Sequence, residues 1–304
     1  WLTGLVPVSE PFPLGHECVA EVVDVGESVK AVAPGDTVVV SFQICCGTCA
    51  ACTAGRTGSC TSVPAGSAYG MRPLGGDWGG TLADLVRVPF ADAMLVPLPE
   101  GVDPVAVASA ADNVPDGFRT VAGPLAADPG ADVLVTGGLA RSVGLFAVAS
   151  AKALGAGRIA YADFDEGRLE RAAALGAEPL TIPPGDDGAP AWPKRLGRFP
   201  ITVDASGDHA GLHATIRSTA RDGICTSVAV YFEPVTPLPM LEMYTRCCTL
   251  HTGRVHARAL IPDVLDLVAA GRLDPSAVTS AVVGFDDAGD AMADPPTKLV
   301  LTSA

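Results

Sequence analysis

The chain has 304 residues, 48% hydrophobic and 18% charged, with a formal net charge of −14. That length predicts two domains rather than one core, and that hydrophobic content argues against a disordered chain. The acidic balance argues against a nucleic-acid partner, which needs clustered Lys and Arg. The strongest apolar stretch, residues 143–154, contains Lys152 and is too short to cross a bilayer, so no membrane partner is expected.

In chain order, the first third reads as β-rich. Short apolar runs at residues 20–25, 37–42, 81–88 and 94–98 are separated by Gly, Pro and Asp turns, the pattern of a barrel-like domain. From about residue 128 the texture changes. Residues 132–136 read as a strand, 143–154 as a helix, 158–163 as a strand and 166–175 as a helix. Gly155 and Gly176 stand where helix C-terminal caps are expected. The alternation resumes at 201–205, 209–220 and 224–230, after a Pro-rich loop over 181–200. Strand–helix alternation predicts a parallel sheet with crossover helices, so the fold class is α/β. Residues 260–270 read as a further amphipathic helix and 298–302 as a last strand.

Nine cysteines are present, and five fall between Cys45 and Cys60. The run Cys46-Gly47-Thr48-Cys49-Ala50-Ala51-Cys52, followed by Cys60, has the spacing of a zinc lobe. Four thiolates surround one ion tetrahedrally and leave no open position, so this zinc is expected to be structural. Disulfides or chance clustering are the alternatives; the spacing and the absence of secretory features weigh for zinc, and the expected setting is cytoplasmic. Cys45 is the extra thiol. Cys18, Cys225, Cys247 and Cys248 read as core or half-buried residues.

The strand ending at Thr136 runs into Gly137-Gly138-Leu139-Ala140-Arg141-Ser142-Val143-Gly144, and a helix follows. A glycine turn at a helix N-terminus lets backbone N–H groups meet a pyrophosphate. The spacing departs from the usual glycine fingerprint, and only Gly144 fits its last position. Asp163 supplies the missing specificity. It ends the next strand nineteen residues after Gly144, where a carboxylate accepts from ribose hydroxyls and favours NAD over NADP. The plainer reading of Asp163 is a solvated turn residue, and the strand–helix–strand context favours the ribose role over it. Arg168 lies five residues on.

Gly15-His16-Glu17, then Val25-Gly26, then Pro34-Gly35-Asp36-Thr37-Val38, then the cysteine lobe and the nucleotide turn, stand in the order of a known family. The chain resembles the zinc-dependent alcohol dehydrogenases of the medium-chain dehydrogenase/reductase family along essentially its whole length. The resemblance implies a GroES-like catalytic domain over residues 1–116, a Rossmann NAD-binding domain over 117–254 and a return to the catalytic domain over 255–304. It implies a catalytic zinc held by His16 and Asp112, with Glu17 close by. On residue type alone, His16 reads as a turn residue and Asp112 as a helix N-cap. It also implies that Val228 and Val230, after a later strand, meet the nicotinamide end, and that Lys298 lies near the pyrophosphate. At Arg168 it implies a basic residue near the ribose that tempers the exclusion of NADP.

The family's first zinc ligand is a Cys upstream of Gly-His-Glu, and residues 1–15 contain neither Cys nor His. With Trp1 as the first residue, the expectation is a chain truncated at its N-terminus. The implied function is hydride transfer between a small alcohol or aldehyde and NAD, in a homo-oligomer (dimer or tetramer). The alternatives are a non-catalytic dinucleotide-binding scaffold with only the structural zinc, and a polyol- or threonine-type dehydrogenase of the same family.

Overall fold

A computed structural model describes residues 11–186 and 188–303. They divide into two compact units. One takes the described residues up to Pro115 and those from Val255 onward; the other is Asp116–Arg254.

In the first unit, strands β1 (Cys18–Glu21), β2 (Thr37–Val40) and β3 (Leu95–Pro97) form an antiparallel sheet in that order. Strand β2 is central, and Val38, Val39 and Val40 are all buried. A middle strand covered on both faces accounts for this unbroken valine run. The short helices α1 (Ala50–Thr53) and α2 (Ala91–Met94) both fall between β2 and β3 in sequence. Val38, Val40, Ile44, Tyr69, Met94 and Leu95 make the core of this part.

The second unit opens with helix α3 (Asn113–Ala127), whose first residues still belong to the first unit. Then come β4 (Val133–Thr136), α4 (Arg141–Ala153), β5 (Ile159–Asp163), α5 (Glu166–Ala174) and β6 (Glu178–Thr181). β7 (Phe199–Asp204), α6 (His209–Ser218), β8 (Thr219–Ser227), α7 (Met240–Arg246) and β9 (Thr249–Thr252) complete it. The six strands form one sheet, ordered β6-β5-β4-β7-β8-β9, and every neighbouring pair is parallel. Gly155 and Gly176 take positive φ just beyond α4 and α5, as left-handed caps require.

The chain builds outward from β4 to β6, then jumps back and builds the other way from β7 to β9. Such a reversal leaves a crevice at the carboxyl ends of the two central strands, where ligands of open α/β sheets bind. The first unit is finished by α8 (Ala257–Ala269) and α9 (Ala288–Ala293), with β10 (Ala281–Gly284) parallel to β11 (Leu299–Thr302).

Two expectations differ from the structure. Residues 81–88 form bends rather than a strand. Val86 and Val88 pack on the core, and the backbone N–H groups of Thr81 and Leu82 donate to the Gly15 and Leu14 carbonyls, but among the described residues no ladder continues. The loop expected over 181–200 is preceded by a strand, β6, that contains Pro179. Proline removes a ladder donor, and β6 tolerates it because it is an edge strand.

Leu134 sits in the middle of β4 with no exposed surface. Leu134→Ala should cost about 2–5 kcal/mol of stability. Urea unfolding followed by far-ultraviolet circular dichroism measures this.

Candidate functional site

The cysteine lobe grows from the turn after β2. The sulfurs of Cys46, Cys49, Cys52 and Cys60 all lie within 4.8 Å of one another. That spacing fits one zinc ion, whose four sulfur ligands stand at about 2.3 Å from the metal. Among the described residues, it is the only such group of three or more His, Cys, Asp or Glu. The local backbone is folded to serve thiolates. The Cys46 sulfur accepts from the N–H groups of Thr48 and Cys49 at 3.4 and 3.3 Å and from the Ser62 hydroxyl at 3.2 Å. The Cys60 sulfur accepts from the Cys46 N–H at 3.4 Å. Hydrogen bonds from Ser62 above all hold the Cys46 thiol down to about 6. The backbone N–H of Thr61 leads those that hold Cys49 at about 5. Burial pushes Cys52 up to about 12, so this is the thiol that most needs a cation to ionise it.

The lobe is tied to the returning segment of the same unit. Buried Gln43 donates to the Val255 carbonyl at 2.8 Å and accepts from the Ala257 N–H at 3.3 Å. The Gly58 N–H donates to His256 Nδ1 at 3.1 Å, which fixes that ring with its proton on Nε2. Sequence reasoning left His256 without a role and passed over Gln43. No local pattern marks contacts made across some 200 residues of chain.

His16 and Asp112, 96 positions apart in sequence, are brought together in the same unit. His16 Nε2 lies 3.2 Å from Asp112 Oδ2. Gly15 makes this approach feasible. Its φ is +84°, and a Cβ there would sit 2.6 Å from the Leu82 nitrogen. The His16 ring meets Phe42 edge-on, with centroids 5.7 Å apart. Burial works to lower the His16 pKa, but the Asp112 hydrogen bond and charge, with Glu17 beside them, outweigh it and hold the ring above its ordinary 6.5. An imidazole and a carboxylate this close are two donors of a borderline cation site. Glu17 is turned elsewhere. It accepts from the N–H of Asn113, the first residue of α3, at 2.9 Å, and from the Lys298 ammonium. Lys298 is thus the partner of Glu17, and each side chain is about 10% exposed.

In the second unit the nucleotide turn lies at the end of β4. Helix α4 starts at Arg141 without a side-chain cap. Gly138 has φ +153°, and a Cβ on it would fall 2.4 Å from the Ser206 carbonyl oxygen. An uncapped 13-residue helix behind a glycine turn suits a pyrophosphate. Ser142, Val143 and Gly144 form the first turn of that helix and are buried. Val228 and Val230 follow β8 directly, and the Val228 N–H donates to the Asp204 carbonyl at 2.9 Å. Asp163 ends β5 with no exposed surface, in a bidentate ion pair with Arg168 at 2.7 Å to each nitrogen.

This 304-residue chain, purified by itself, should bind about one zinc equivalent tightly, and Cys49→Ala should lose it, as elemental analysis would report. Less than half an equivalent in the wild type would reject the lobe. In metal-free protein, the His16–Asp112 pair adds stability that is fully present below the ordinary histidine value and fades as pH rises through the raised one. His16→Gln should therefore lower the thermal midpoint more at about pH 6 than at about pH 9.

The sequence model of the alcohol dehydrogenase GroES-like domain matches residues 2–100, and that of the zinc-binding dehydrogenase domain matches 142–270. A probable zinc-binding alcohol dehydrogenase of Mycobacterium tuberculosis is 31% identical over 289 residues, 94% of this chain and 71% of the relative. A glutathione-independent formaldehyde dehydrogenase of Bacillus subtilis is 34% identical over 70% of this chain, which spans 52% of that relative. Among solved structures, an alcohol dehydrogenase from Thermus sp. ATN1 superposes with a TM-score of 0.83 at 30% identity, covering 98% of this chain and 87% of the other. A β-rich unit with a four-cysteine lobe, a doubly wound parallel sheet and these relatives together place the chain among the zinc-dependent alcohol dehydrogenases of the medium-chain dehydrogenase/reductase family.

Proposed function

We propose that the whole protein oxidises a small alcohol to the carbonyl compound, or reduces an aldehyde, with hydride passing to or from NAD. The observation that carries this reading is the pairing of His16 Nε2 with Asp112 Oδ2 at 3.2 Å, separate from the cysteine lobe. When bound, a zinc ion there supplies Lewis acidity that acidifies the alcohol hydroxyl, and the nicotinamide supplies the hydride acceptor.

This chain's residues do the positioning. His16 and Asp112 offer two ligand atoms, and the Phe42 ring fixes the plane of His16. Lys298 and the Asn113 N–H hold the Glu17 carboxylate, which keeps a second negative charge fixed beside the His16–Asp112 pair. Gly137, Gly138 and the first turn of α4 offer backbone to a pyrophosphate, with Asp163 and Arg168 at the adenosine ribose and Val228 and Val230 toward the nicotinamide. Cys46, Cys49, Cys52 and Cys60 hold the structural zinc. A zinc–thiolate lobe requires reduced cysteines, which supports a cytoplasmic setting. The edge strand β9, with Thr249, His251 and Thr252 exposed, suits pairing of two copies into a homo-oligomer.

A non-catalytic scaffold is the second reading. It is favoured by Glu17 being engaged away from His16 and Asp112, which leaves two donors among the described residues where a catalytic zinc generally takes three. One experiment separates the two. In the whole protein, His16→Ala and Asp112→Ala should each lower kcat/KM over an alcohol panel by at least about a hundredfold, while NADH binding by fluorescence stays within about threefold. Wild-type protein that binds NADH but produces none from any alcohol would support the scaffold.

A further inference from the structure

The chain is acidic, yet one corner of the second unit reverses the sign. Lys194, Arg195 and Arg198 come from the stretch that leads into β7, Arg217 from the last turn of α6 and Arg246 from the last turn of α7. Two of these cations meet on one atom. The carbonyl oxygen of Arg217 accepts from Arg246 Nη1 at 2.9 Å and from Arg198 Nη1 as well. Burial above all, and then the charges of Arg246 and Arg195, hold the Arg198 pKa below its ordinary value.

The negative charge at this corner is smaller. Arg217 Nε is paired with Glu242 Oε1 at 2.8 Å. The Arg217 hydrogen bond above all, joined by the charges of Lys194 and Arg246, lowers the Glu242 pKa. Among the described residues, Lys194, Arg195, Arg198 and Arg246 make no ion pair of their own. Asp222, which like Arg198 and Arg246 acts on Cys248, is a second acid in the neighbourhood. A helix end accounts for part of the remainder. Arg246 donates to the carbonyls of Ile216, Arg217 and Thr219, at the end of α6. A helix C-terminus carries about half a negative charge, so five cations against two carboxylates and one helix end leave an excess of roughly two.

That excess is accessible. Arg195 and Arg198 are exposed, and Arg198 spends one hydrogen bond where a guanidinium has five donors. It is also remote from the crevice. Arg198 precedes β7 and Thr219 begins β8, so the cations stand at the amino ends of these strands. β7 has six residues, which puts its amino end about 20 Å from the carboxyl end where Asp204 stands.

We propose that Arg195 and Arg198, backed by the charges of Arg246 and Lys194, form a second anion site at the amino end of β7 that takes a phosphate group. Arginine forks match phosphate oxygens with paired N–H donors, and a phosphate group near neutral pH carries about −1.5 to −2, which balances the excess. The bound anion joins the stretch before β7 to the ends of α6 and α7. The site is separate from the glycine turn and does not depend on the dinucleotide reading.

The whole protein is titrated with inorganic phosphate by calorimetry at about 50 mM sodium chloride, with and without saturating NADH. One phosphate should bind with a Kd of about 1 mM or tighter, and NADH should change that affinity by less than about threefold. Arg195→Gln, which has no hydrogen bond to lose among the described residues, should weaken phosphate by at least about fivefold. Arg195→Gln with Arg198→Gln should weaken it by at least about tenfold, while NADH binding by fluorescence stays at the wild-type value and shows that the unit is folded. Arg198→Lys, which keeps the charge and loses the fork, should fall between wild type and Arg198→Gln. Adenosine monophosphate, titrated into NADH-saturated protein, separates the sources: tighter binding than phosphate points to a nucleotide, equal binding to the free ion. The proposal is overturned by no phosphate binding up to about 10 mM, by binding that NADH displaces, or by an unchanged affinity in the double variant. If NADH itself fails to bind wild-type protein, the dinucleotide reading falls, and the arginine variants alone decide the phosphate site.

Discussion

Ionised carboxylates taken out of water must be neutralised or hydrogen-bonded, and three of them organise the polar interior of this chain. Glu17 is held by a lysine and by the first N–H of a helix. Asp163 is held by an arginine, a tyrosine and two backbone amides. Asp204 has no cation beside it among the described residues. It is buried at the end of β7 and accepts from Ser206 at 2.6 Å, Ser227 at 2.7 Å and Tyr231 at 2.9 Å. Burial raises its pKa, and the hydroxyl donors only partly offset this. The three solutions differ in how freely they rearrange. Neutral hydroxyls fix Asp204 as a strut between β7 and β8. Glu17 and Asp163 are held by buried cations instead, and both of these carboxylates stand where the family implies chemistry.

The sheet explains why two of these carboxylates lie where they do. Parallel strands β5 and β7 both end in Asp, on either side of the β4 glycine turn. Strand interiors covered by helices are mostly apolar, with small hydroxyls such as Thr202 paired to a neighbour, and the carboxylates stand at the carboxyl ends. The same ends face the crevice at the reversal of strand order. Core packing and ligand chemistry are thus separated by a single residue along each strand: Ala162 packs in the core and Asp163 does not.

Much of this was legible in the sequence, for definite reasons. Strong alternation and glycine caps marked β4 through α5, and four cysteines with short gaps marked the lobe. Where signals were weak, the structure still has elements. Strand β6 contains a proline, β9 is four polar-edged residues, and α7 is a seven-residue helix. The valines at 81–88 suggested a strand that lacks a pairing partner. At the site, Arg168 and Tyr161 stand five positions after and two before Asp163, so their convergence follows from strand and helix geometry. The Glu17–Lys298 pair spans 281 positions, and nothing local announces it.

The cysteine lobe leans on the far end of the chain, and that has a consequence for how the protein is made. Gln43 and Gly58 find their partners at Val255 and His256, roughly 200 residues later. At ribosomal speeds those partners arrive about 10–40 s after the cysteines have emerged. During that interval Cys46 and Cys49, the two thiols held near 6 and 5 once the lobe is formed, lack their structural backing. Early capture of zinc by the nascent chain would shield them from oxidants, because coordinated thiolates are withdrawn from disulfide exchange. The metal would then hold the lobe together while its late-arriving supports at Val255 and His256 are still to come, and remain as a strut in the finished protein.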